Sequence, residues 1–145
     1  MDSPDPEVRS RVAQDLVFLH FVGIKVVVVH GGGKAVTREL ENRGMEARFI
    51  DGLRVTDEHS INIVDEVLNK QVNQEVAQFV SSYDCAVQCL PGKEILLCQK
   101  LQQEPDLGFV GSISKVDTDP IEHSLKKGLM PIISSTASDL SLIHI

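Results

Sequence analysis

The sequence predicts an α/β fold, a mostly parallel open sheet flanked by helices in an αβα sandwich. Two patterns predict it. Apolar stripes at helical spacings of three and four alternate along the chain with short β-branched runs. One of those runs, Val26–Val29, has no polar alternation and leads within two residues into Gly31-Gly32-Gly33, as a strand covered on both faces does before it turns into a helix. The 145 residues, 42% hydrophobic and 24% charged, fit one globular domain. A chain of this length can bury roughly two thirds of its unfolded surface.

Each element follows in order. Asp5 or Ser3 opens a first helix, whose stripe is Val8, Val12, Leu16 and Leu19. Gly23 ends it, where a left-handed residue is commonly needed. Lys25–His30 is a strand and Gly31–Gly33 the turn. A second helix puts Val36 and Leu40 inward and stops at Gly44. Phe49–Val55 is extended around a turn at Asp51-Gly52. Thr56 or Asp57 caps a long helix carrying Ile61, Val64, Leu68, Val72, Val76 and Phe79. Cys85–Leu90 and Ile95–Lys100 are strands about a Pro91-Gly92 turn, residues 102–106 a loop, and Phe109–Val116 a hairpin arm. Asp119 caps a helix with Pro120 at its first position and Gly128 just past its end. Leu129–Ser134 is the last strand. There is no internal repeat.

Charge and composition exclude several functions. A net charge of -7 disfavours nucleic acid and anionic membrane surfaces, which need clustered Lys and Arg. Apolar runs such as Val26–Val29 are far too short to span a bilayer. Residues 1–11 are acidic and polar, unlike a secretory leader. Cys85, Cys89 and Cys98 form no paired framework, and no His lies near them in sequence. They read as reduced, buried thiols of a cytoplasmic protein, with no metal site.

The chemistry-bearing motif is the strand–glycine–helix passage ending in His30-Gly31-Gly32-Gly33-Lys34. In open α/β sheets ligands sit at the carboxyl ends of strands. The next helix presents free N–H groups and a positive dipole end there. Glycines let an anion approach the backbone closely, without any Lys or Arg. The same glycines would also serve a plain tight turn. Neither familiar glycine motif applies. A Walker A loop would need Gly and Ser or Thr where Val28 and Ala35 stand, and the dinucleotide fingerprint would need Gly at Val36. His30 touches the turn and can orient it, while His59 and His123 read as surface residues. Arg54, beside the Asp51-Gly52 turn, is either a solvated charge or a bidentate carboxylate clamp.

These motifs together resemble the acetylglutamate kinases of the amino acid kinase family. The matching pieces are Val28–Gly33, Asp51-Gly52-Leu53-Arg54-Val55-Thr56, Val72-Asn73, Asp106-Leu107-Gly108-Phe109-Val110-Gly111 and Met130–Ser135. They run from about Glu7 to about Ser135. The resemblance implies phosphorylation of the side-chain carboxylate of N-acetyl-L-glutamate by MgATP, a step of arginine biosynthesis. It implies that Gly32 and Gly33 meet the substrate near the reacting carboxylate and that Arg54 holds the α-carboxylate. It also implies a homo-oligomer through the helix at 57–81.

The family's first strand, with a Lys before two glycines, does not precede Glu7. The family's second phosphate-binding Lys and most of its ATP pocket do not appear before Ser135. Residues 1–138 are therefore expected to be the acetylglutamate-binding half of an amino acid kinase domain, with no catalytic residue and no activity alone. Residues 139–145 depart from the family pattern, resemble a translated sequencing adaptor, and are expected to be a non-native tail. Two other functions fit the same residues: a non-catalytic amino-acid-binding module, or a sibling amino acid kinase with another acceptor.

Overall fold

A computed structural model describes residues 6–139. The expected helix openers Ser3 and Asp5, and all of the expected tail except Asp139, lie outside the described residues. Helix α1 (Pro6–Phe21) leads to strand β1 (Val28–His30) and helix α2 (Gly33–Asn42). Strands β2 (Arg48–Ile50) and β3 (Leu53–Val55) form an antiparallel hairpin. Asp51 and Gly52, at φ +49° and +81°, make its tight turn. A continuous helical run follows: α3 (Ile61–Glu66), a π-helical segment (Val67–Val72) and α4 (Asn73–Ser81). Then come β4 (Val87–Leu90), the single turn α5 (Gly92–Ile95), β5 (Leu96–Lys100), β6 (Gly111–Val116), α6 (Asp119–Lys126) and β7 (Met130–Ser134).

Strands β1, β7 and β4 form a parallel sheet in the order β1-β7-β4. The β2–β3 and β5–β6 pairs are separate antiparallel arms. The fold class is therefore α/β with a parallel central sheet. One core lies between α1, α4 and the sheet, built on Val17, Val76, Val80, Met130 and Ile132. A second joins α2 to the helical run through Val36, Leu40, Ile63, Val67 and Leu68. Cys85 and Cys98 are buried, Cys89 is half-buried, and all three are free. Burial pushes each thiol's pKa up, and Asp139 adds to it at Cys98.

Three expectations need correction. The first helix buries Ala13 and Val17; of the expected stripe, Leu16 packs against the same core, whereas Val8, Val12 and Leu19 are exposed. This helix carries two apolar stripes, and spacing alone does not say which faces inward. Ala13 does, at 0% exposure, with Val17 one turn on in the same core as Val76 and Val80 of α4. Second, the valine run is not covered on both faces. It ends in an edge strand with Val29 64% exposed, and the strand buried along its whole length is β7. A run of valines satisfies either position. Third, the helix after Asp57 is not uniform. Its middle widens into the π segment, a change of hydrogen-bond register that a stripe of threes and fours does not reveal. Asp57 closes the turn that leads into it: Oδ1 accepts the N–H groups of Ser60 at 2.8 Å and His59 at 3.1 Å.

Ile132 is fully buried in the central strand. Ile132→Ala should therefore lower stability by about 2–5 kcal/mol through transfer and cavity terms. Phe18→Ser, at a 64% exposed site, should stay within about 0.5 kcal/mol. Urea denaturation of the three chains checks both.

Candidate functional site

The carboxyl ends of β1 and β7 open into a cleft of about 540 Å³. Four segments far apart in sequence line it: Gly31–Gly33, the β3 residues Leu53 and Arg54 with Thr56, Phe109–Gly111, and Ser135–Ala137. Leu68 and Val64 of the helical run also face it, so the walls are largely apolar.

The glycine turn is held from several sides. His30 is 5% exposed, and its Nδ1 lies 3.0 Å from the Gly31 carbonyl oxygen, to which it donates. A trans peptide puts its carbonyl and the next N–H on opposite sides, so the Gly32 N–H is turned away from the imidazole. A Cβ on Gly32 would stand 2.8 Å from Leu68 Cδ2 and 3.0 Å from Val72 Cγ2. A side chain on Gly32 would therefore have to displace Leu68 or Val72 of the π segment. A Cβ on Gly33 would meet nothing within 4 Å, so this residue faces open space. Gly33 begins α2, where the first N–H groups lack intrahelical partners and the dipole favours an anion.

Arg54 is fastened to the same turn. Its Nη2 donates to the Gly33 carbonyl at 2.9 Å and to Thr37 Oγ1 at 2.7 Å. The guanidinium carbon lies 4.6 Å from the centroid of the Phe49 ring, a cation–π contact. Nη1 is buried and finds no partner among the described residues. Burial lowers the pKa of Arg54 from its ordinary value, and the group stays charged. The three residues singled out from the sequence, Gly32, Gly33 and Arg54, therefore meet in one cleft, with part of the Arg54 fork already committed to the protein.

Thr56 is a clasp and not a cap. Its N–H donates to Leu107 O at 2.9 Å, and its carbonyl accepts the Phe109 N–H at 2.7 Å. Gly108 makes this possible, because at φ +74° a Cβ there would sit 2.1 Å from Thr56 O. The clasp joins the two hairpin arms at the cleft. His59 and His123 are exposed, as expected. Asn73, part of the resemblance, is 1% exposed and donates to Ile132 O at 3.3 Å, in the core and outside the cleft.

Sequence reading missed a polar cluster beside the cleft. Lys93 Nζ lies 2.7 Å from Asp65 Oδ2, and Asn69 Nδ2 donates to Asp65 Oδ1 at 2.8 Å. Asn69 Oδ1 accepts the Ser134 hydroxyl. The available signal was Asp65 and Asn69 themselves, two polar residues four apart and flanking apolar Leu68.

The model of the amino acid kinase family matches residues 2–141. The chain belongs to the amino acid kinase family. An acetylglutamate kinase of Actinobacillus pleuropneumoniae serotype 3 (strain JL03) is 39% identical over 133 residues, covering 92% of this chain and 46% of that protein. One from Synechocystis sp. (strain ATCC 27184 / PCC 6803 / Kazusa) is 40% identical over 136 residues, with 93% and 46% covered. This amino acid kinase chain thus spans just under half the length of those relatives. The solved structure of smu.665 from Streptococcus mutans UA159 shares the fold, with a TM-score of 0.85 at 23% identity over 95% of this chain and 59% of that one.

The two glycines of the kinase turn make opposite predictions. Gly32→Ala should cost about 1–3 kcal/mol by overpacking against Leu68 and Val72. Gly33→Ala should cost nothing, or stabilise by up to about 1 kcal/mol, because it relieves glycine's entropy in a helix. Thermal melts of the two variants decide. His30 adds a pH dependence. Burial lowers its pKa from 6.5, so as pH falls the unfolded chain takes up this proton first. Stability should decline below about pH 6.5 until the folded-state pKa is reached. In His30→Asn that decline should be shallower, measured as the denaturation midpoint against pH.

Proposed function

We propose that the protein carrying this chain transfers the γ-phosphoryl group of ATP to the side-chain carboxylate of N-acetyl-L-glutamate, and that this chain holds the acceptor. The observation that carries the reading is the cleft itself. Its lining brings the backbone of Gly33, at the start of α2, and the cationic Arg54 together among largely apolar walls, which suits an acceptor with two carboxylates and a short apolar body. The relatives named acetylglutamate kinase supply the identity of that acceptor.

In this reading the amides of Gly32 and Gly33 hold the side-chain carboxylate, whose oxygen attacks phosphorus as the bond to ADP breaks. Arg54 holds the α-carboxylate, and Leu53, Phe109 and Ile113 exclude water. The products are an acyl phosphate and ADP. Transfer of this kind rests on positioning and on cations that offset the moving charge. Arg54 is the sole cation lining the cleft among the described residues, so no described residue is assigned the charge-stabilising role. Nor does any group of three or more His, Cys, Asp or Glu among them suit a metal, so no step is assigned to magnesium.

The wider setting belongs to the same proposal. No helix among the described residues is long and apolar enough to cross a membrane. We read the protein as cytoplasmic and acting in arginine biosynthesis. We read it also as a homo-oligomer through the helical run at 57–81, whose outward residues Lys70, Gln71, Gln74 and Gln78 are polar.

Arg54→Lys in the complete protein tests the reading. Losing the charge-assisted contact of the guanidinium should weaken N-acetyl-L-glutamate use by about 10-fold or more. The Michaelis constant for ATP should change little. Steady-state kinetics in both substrates measures this, and an unaltered constant and turnover for N-acetyl-L-glutamate would refute the clamp. Turnover with a different acceptor alone would point to a sibling kinase.

A further inference from the structure

Among the described residues only two charged side chains line the cleft, Arg54 and Asp65. If the acceptor is a dicarboxylate, as proposed above, Asp65 is a liability, because a carboxylate on the wall repels the ligand and cancels Arg54. The structure provides a counter-charge. Lys93 Nζ pairs with Asp65 Oδ2 at 2.7 Å, and both side chains are mostly buried, 26% and 17% exposed. Asn69 holds the other oxygen of Asp65.

The position of Lys93 does not depend on that ion pair. A Cβ on the preceding Gly92 would fall 2.1 Å from Ser134 O and 2.3 Å from Thr136 O, so the chain passes there at backbone distance. The Gly92 N–H donates to Ser134 Oγ at 2.9 Å and the Lys93 N–H to Thr136 Oγ1 at 3.1 Å. Ser138 Oγ donates to the Lys93 carbonyl at 3.0 Å. The ammonium is therefore delivered to Asp65 by a backbone fixed to the end of β7.

We infer that Lys93 is a specificity-determining residue for the acceptor, which acts by neutralising Asp65 on the cleft wall. With Lys93 in place the cleft carries the net positive charge of Arg54 and admits a dianion. Without it, Arg54 and Asp65 sum to zero. Lys93 works through Asp65 and does not touch the reacting atoms, so its role is positioning and charge compensation. The role rests on the reading of the cleft as an anionic acceptor site.

The test is calorimetric titration of the full chain with N-acetyl-L-glutamate at low and high salt. Lys93→Met should weaken binding about 10-fold at low salt, and by less near 0.5 M salt, where charge interactions are screened. Lys93→Arg should retain binding. Asp65→Asn with Lys93→Met should restore it to within about 2-fold, and Asp65→Asn alone should tighten it. A merely structural role would leave the double variant at least as weak as Lys93→Met. Thermal melts run alongside identify any variant that fails to fold, and Asp65→Asn alone then decides by the sign of its effect. Unchanged binding by Lys93→Met, no restoration in the double variant, or weaker binding by Asp65→Asn each overturns this inference alone. Absence of binding by the unsubstituted chain overturns the acceptor reading and this inference with it.

Discussion

The π segment packs directly against the Gly32 turn. Leu68 and Val72 come so close to the turn that a single methyl group on Gly32 would overlap them. That approach brings the helical run against the amino-terminal end of α2, where the free amides are. It also makes Leu68 part of the cleft wall and leaves Gly33, one residue on, facing open space. Packing thus separates the two glycines by role: Gly32 is small for the fold, and Gly33 is small at the cleft. π segments are often retained where function needs a helix aimed differently. Here the wider turn lies where the helix meets both the glycines and the end of β7.

A second constraint is electrostatic. In an acidic chain an anion must be attracted locally, by backbone amides, a helix end and few cations. Arg54 spends Nη2 on the Gly33 carbonyl and on Thr37, which fixes its plane and ties the β2–β3 arm to the glycine turn. Such preorganisation reduces the ordering that a ligand must otherwise impose. Thr56 does the same for the two arms through its bonds to Leu107 and Phe109. The arms, the turn and the strand ends are thereby linked by hydrogen bonds around one apolar space.

Much of this was legible in the residues. The β-branched run before three glycines located β1, the turn and α2. Gly23, Gly44 and Gly128 marked chain reversals, and each has positive φ. The Asp51-Gly52 pair announced the hairpin that carries Arg54. Two features were not legible, for definite reasons. Val8, Val12 and Leu19 form as good a stripe as Ala13 and Val17, and only the neighbour α4 selects between them. The Lys93–Asp65 pair spans 28 positions in sequence, and no local periodicity connects residues so far apart.

The sequence by itself determined the local elements: where glycine permits a turn and where valines favour extension. Those preferences act within a few residues and need no partner. The tertiary structure decided which faces are buried, that β7 and not β1 is the covered central strand, and that Arg54 reaches the glycine turn across 21 positions. It also decided that Asp65 on the cleft wall has a cationic partner. These are outcomes of packing and long-range charge, set only when distant segments are brought to one place, and their physical cause is the competition among faces and charges for the same buried space.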